Sequence, residues 1–70
     1  MNAQIDALCA KTTKPDVLNA LHACREGHPL GRGNAWKWRN AFSLVKQNTI
    51  DFLGSDVSWL ERKALEEWSR

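Results

Sequence analysis

The stretch "NAWKWRNAFSLVKQNTIDFLGSD", residues 34–56, decides how this chain folds. At about 100° per residue, Ala35, Trp38, Ala41, Phe42, Val45, Thr49, Phe52 and Leu53 fall on one stripe, as on an amphipathic helix. The spacing predicts a helix from about Asn34 to Leu53, stopped by Gly54. Ser55 then caps another helix, with Asp56 at its positive end. Val57, Leu60, Ala64 and Trp68 form the inward face of that helix. The Gly54–Ser55 junction is short, so the two helices are expected to fold against each other as a hairpin or corner.

Upstream, "TKPD" at residues 13–16 reads as a helix start. Thr13 caps, Asp16 reaches back three positions, and Pro15 suits a first turn. Val17, Leu21 and Cys24 follow on one face, flanked by Leu18 and Ala20. Gly27 ends this helix, and "GHPLGRG", residues 27–33, makes a loop. Before it, Asn2 to about Ala10 forms a short helix with Ile5, Leu8 and Cys9 at helical spacing and Asn2 as its cap. The expected fold is therefore all-α: a small bundle of three main helices plus a short N-terminal helix. Residues 1–70 make one domain.

A chain of this length buries only about 60% of its unfolded surface, so its core is marginal. The four tryptophans and two phenylalanines matter for that reason, since each aromatic ring brings roughly 150–250 Å² of contact area. The net charge is +2, unevenly spread. Residues 1–50 hold seven Lys/Arg against three Asp/Glu, and residues 51–70 hold three against five. A dedicated DNA-binding domain carries a stronger basic bias.

Several function classes fit poorly. The start, "MNAQIDALCAK", has no basic leader and no long apolar run, so no signal peptide is expected. No window approaches the ~18 apolar residues of a membrane span. Two cysteines give no disulfide framework, and free thiols suit a reducing cytoplasm. Cys9, His22, Cys24 and His28 match no zinc spacing, so no metal or other cofactor is expected. Cys9 and Cys24 read as small core residues. There is no nucleophile elbow, Walker loop or dinucleotide fingerprint. Asp51, Asp56, Glu61, Glu66 and Glu67 read as solvated surface charge, with Glu66 in reach of Arg62 or Arg70. So short a helical chain is expected to have little room for a pocket of a few hundred Å³, and no enzyme activity is expected.

Trp36 and Trp59 remain. Trp36 lies about 200° around its helix from Trp38, on the side of Asn40, Ser43 and Gln47. Trp59 lies about 160° from Val57, near Arg62, Lys63 and Glu66. Either the first helix or the glycine loop covers Trp36, or a second copy in a homodimer buries these rings, or they form a partner surface. The partner surface would be Trp36, Arg39, Asn40 and Ser43 with Arg32 from the loop. Trp59 and Arg62 would make a second patch. A different class of function uses the same region. Lys11, Lys14, Arg32, Lys37 and Arg39 could meet nucleic-acid phosphates while aromatic rings stack on bases. No RNA- or DNA-binding signature is present, and the 27–33 loop is too long for a helix-turn-helix. The expectation is a small regulatory protein that docks on a larger machine of transcription, replication or host defence. Phage and mobile-element genomes encode many such proteins. Direct nucleic-acid binding is the alternative.

Overall fold

A computed structural model describes residues 3–26 and 34–69. It contains four helices, α1 (Ala3–Cys9), α2 (Pro15–Glu26), α3 (Asn34–Gln47) and α4 (Gly54–Trp68), and no strand among the described residues. The all-α expectation holds. Asn2, residues 27–33 and Arg70 lie outside the described residues, so the cap assigned to Asn2, the expected 27–33 loop and the roles given to His28 and Arg32 do too.

The core gathers Ile5 and Leu8 from α1, Val17, Ala20, Leu21 and Cys24 from α2, Ala41 and Val45 from α3, and Leu60 from α4. The apolar face of α2 is the one its spacing predicts. His22 points out and Cys24 points in. Cys9 is half-buried, packed on the edge of the core. The start of α2 differs by one residue. Thr12, not Thr13, supplies the side-chain oxygen, accepting a hydrogen bond from the Lys14 N–H at 3.2 Å. Thr12 is buried, and Pro15 occupies the first helical position, where its missing N–H leaves no helical bond unmade.

α3 is shorter than its stripe. It ends at Gln47, six residues before Leu53. Asn48 ends it. Its side-chain amide donates to the Leu44 carbonyl at 2.7 Å, and its backbone N–H turns tightly onto Val45 O at 3.0 Å. The Asp51 N–H then closes a further turn on Asn48 O at 2.9 Å. Phe52 is still buried, reached through this turn rather than along a helix. Thr49, Ile50 and Leu53 are exposed. Gly54 does not stop α3; it is the first residue of α4.

The start of α4 rests on a carboxylate. Leu53, in extended backbone conformation, occupies the cap position and offers no side-chain cap hydrogen bond. Asp56 reaches back instead, and its Oδ2 accepts the Leu53 N–H at 2.9 Å. The same oxygen accepts from Lys11 Nζ at 2.7 Å. Asp56 is therefore buried, not solvated. Its burial rotates α4 about its axis. Asp56, Leu60 and Ala64 form the buried line, which lies some 60° from the line through Val57 and some 80° from that through Trp68. Val57 is left half-buried and Trp68 exposed, contrary to the expected inward face. Trp59 is drawn part-way in on the other flank.

α3 and α4 share the largest interface and run back against each other from the 48–53 turn. The molecule measures 32 × 19 × 19 Å. The turn end of the α3–α4 pair is tied to the α1–α2 connection by Lys11–Asp56 and by Lys14, whose ammonium reaches the Asn48 side chain and lies 3.9 Å from Asp51. Arg25 joins α2 to Asp6 of α1 at 3.1 Å.

Candidate functional site

The other end of the α3–α4 pair carries exposed aromatic surface. Trp36 stands in the first turn of α3, 69% exposed. One turn on, Arg39 projects from the same helix. Its guanidinium carbon lies 5.9 Å from the centre of the Trp36 ring and 5.2 Å from that of Trp68. Trp68, in the last turn of α4, is 59% exposed. A planar cation is thus held between two open indoles, at distances where the negative faces of the rings attract it.

A groove of about 370 Å³ opens beside this group, lined by Arg39 and Phe42 from α3 and by Glu61, Ala64, Leu65 and Trp68 from α4. A chain this short does therefore leave room for a cavity of a few hundred Å³. Among the described residues its lining holds one cation and one carboxylate, with no hydroxyl, thiol or imidazole. Leu65 is 60% exposed at its rim. Lys46 lies farther along the α3 wall, 5.7 Å from the centre of the Phe42 ring.

The expected partner residues divide. Trp36, Arg39, Asn40 and Ser43 are all exposed on one side of α3, with Ser43 accepting a hydrogen bond from the Gln47 amide at 3.3 Å. Arg32 lies outside the described residues. Trp59 belongs elsewhere. It is half-buried and packs edge-to-face on Trp38, with ring centres 5.7 Å apart and planes at 71°. Lys63 Nζ covers it at 5.7 Å from the ring centre and pairs with Glu66 at 3.5 Å, in place of an Arg62–Glu66 pair; the other expected partner, Arg70, lies outside the described residues. Arg62 is exposed and makes no cation–ring contact among the described residues. The residues that sequence reasoning missed are Trp68 and Leu65. No period-3.6 count places Trp68 outside, because the rotation of α4 follows from burying Asp56.

The basic set does not converge. Lys11 and Lys14 are engaged with Asp56, Asn48 and Asp51 at the turn end. Lys37 and Arg39 sit about 15 Å away along α3, at 1.5 Å per residue. Lys37 is half-buried, and its carbonyl accepts a hydrogen bond from the Cys24 thiol at 3.3 Å.

Burial pushes the Cys24 thiol up to about 12, against a smaller lowering by Lys37. Burial, with the Asp6 charge, also raises the Cys9 thiol, and Arg25 partly offsets it. Both cysteines are free. Burial works to raise the Asp56 carboxyl too. The hydrogen bonds from Lys11 and from the Leu53 N–H, with the Lys11 charge, outweigh it and hold the group below its ordinary value. Among the described residues no three His, Cys, Asp or Glu side chains are grouped to hold a metal ion, and no helix is long and apolar enough to cross a membrane. Compared with known proteins, the chain matches no family model, no curated protein and no solved structure.

Proposed function

We propose that this protein works by binding: it is a small non-enzymatic regulator that docks on a larger protein assembly of transcription, replication or host defence and inhibits or redirects it by occupancy. The observation that carries this reading is the exposed Trp36–Arg39–Trp68 group. Trp and Arg are the residue types that most often dominate binding energy at protein interfaces. Open indole in such quantity on a small domain also marks a surface meant to be covered. The described groove lining, Arg39, Phe42, Glu61, Ala64, Leu65 and Trp68, is mostly apolar, which favours recognition over catalysis. The two free thiols favour a reducing, cytoplasmic setting.

The test is capture by the immobilised chain from a host-type cell lysate, with and without nuclease, alongside Trp36→Ala and Trp68→Ala. A discrete protein held by the wild type through nuclease treatment, and bound about tenfold or more weakly by either variant, supports the reading. Unchanged affinity in both variants removes it. The second reading, nucleic-acid binding, draws on α3, which carries Lys37, Arg39 and Lys46 and no carboxylate. It requires capture that vanishes with nuclease and affinity that falls steeply with salt.

A further inference from the structure

The groove beside Arg39 has walls of opposite charge. Arg39 and Lys46 stand exposed on the α3 wall, and α3 contains no acidic residue. Glu61 stands exposed on the α4 wall. Neither Arg39 nor Glu61 forms an ion pair among the described residues. Phe42, Leu65 and Trp68 lie between them.

This pattern selects its occupant. A polyanion that met Arg39 would also meet Glu61, and so would an acidic peptide. A surface with one wall of each sign is complementary to itself. A two-fold rotation about an axis at the groove mouth sets the α3 wall of one copy over the α4 wall of the other, so that each contact occurs twice. The area agrees. The exposed parts of the two indoles present about 300 Å². With Leu65 and Phe42 the patch reaches about 400 Å², within the range of the largest patch that a monomer exposes. A standard interface takes about 800 Å² from each partner. The aromatic patch supplies roughly half of that, which suits a weak, concentration-dependent dimer rather than a permanent one.

We propose that a second copy of this chain docks in the α3–α4 groove by a two-fold axis, with Arg39 of each copy paired to Glu61 of the other and Trp68 and Leu65 packed between them. The inference rests on reading this face as a docking surface, and it adds a regulation. The dimer covers the face, so a protein partner competes with self-association and binds the monomer.

The experiment is sedimentation equilibrium of the full chain between about 1 μM and 1 mM, with helix content checked by circular dichroism. The wild type should pass from monomer to dimer within that range. Trp68→Ala should weaken the dimer about tenfold or more. Arg39→Glu and Glu61→Arg should each be monomeric alone, because each sets like charges opposite one another. An equimolar mixture of these two variants should dimerise, since both cross-pairs are then of opposite sign. A wild type that stays monomeric throughout overturns the inference. So does a mixture that fails to associate, or an Arg39→Glu chain that dimerises as well as wild type. A monomeric chain whose protein capture is still lost in Trp36→Ala overturns the dimer alone. A dimer that obeys the charge rule but captures no protein even when dilute removes the docking reading instead.

Discussion

Lys11 Nζ lies 2.7 Å from Asp56 Oδ2, joining two residues 45 positions apart in the chain. The same carboxylate holds the Leu53 N–H at the start of α4. One buried side chain thus fastens the α1–α2 connection to the first turn of α4 and fixes which face of that helix turns inward.

Asp56→Ala should therefore be among the more damaging single changes. It strands the Leu53 N–H and the partly buried Lys11 ammonium together, at a cost of about 2–3 kcal/mol. For a domain this small that lowers Tm by roughly 10–20 °C. Thermal unfolding followed by circular dichroism would show it. A shift of less than about 2 °C would mean that the ion pair is not what fastens the turn.

The same group sets an acid limit. The Asp56 carboxyl titrates below its ordinary 3.8 in the folded chain. A depressed folded value means that the unfolded state binds the proton more readily, so the contribution is complete above pH about 4 and is lost as pH falls through the folded value. Urea unfolding of wild type and Asp56→Asn from pH 6 downward checks this. The two stability curves should converge below pH about 4. Curves that stay parallel to pH 2 would contradict the assignment.

Cys24 should be inert as a thiol. Its pKa of about 12 leaves almost no thiolate at pH 8, and its Sγ is buried against the Lys37 carbonyl. In the native protein Cys24 should label with a chromogenic disulfide reagent no faster than the chain unfolds, and at once in denaturant. Cys9 is half-buried and should react slowly and first. Rapid labelling of Cys24 in the native state would show that the α2–α3 contact opens readily.

The tryptophans should separate in a stability assay. Trp36→Ala removes a ring that is 69% exposed and should change stability by less than about 0.5 kcal/mol. Trp59→Ala breaks the edge-to-face contact with Trp38 and should cost about 1–3 kcal/mol. Near-ultraviolet circular dichroism should lose its coupled indole signal only in the second variant. Equal destabilisation by both would place Trp36 in the core.

Much of this fold is legible in the sequence where apolar spacing alone decides burial. The α2 face of Val17, Leu21 and Cys24 is one case, and Trp36 pointing away from Trp38 is another. The reading fails where a polar group takes over. The stripe of α3 keeps its phase to Phe52, so nothing apolar marks the end at Gln47; the Asn48 amide on Leu44 O marks it. In α4 the spacing of Val57, Leu60, Ala64 and Trp68 assumes that only apolar residues turn inward. A buried carboxylate with a lysine 45 residues upstream breaks that assumption, and the partnership is non-local. Half of the exposed aromatic site was hidden for that one reason.

The Lys11–Asp56 fastening and the Trp36–Arg39–Trp68 group sit at opposite ends of the α3–α4 pair, about 18 Å apart along α4. At that distance substitutions are close to additive. The indole end can therefore be varied, or randomised in a selection library, while the anchoring end keeps the scaffold folded. Evolvability here is a matter of layout: the exposed face and the residues that hold the shape are inherited separately.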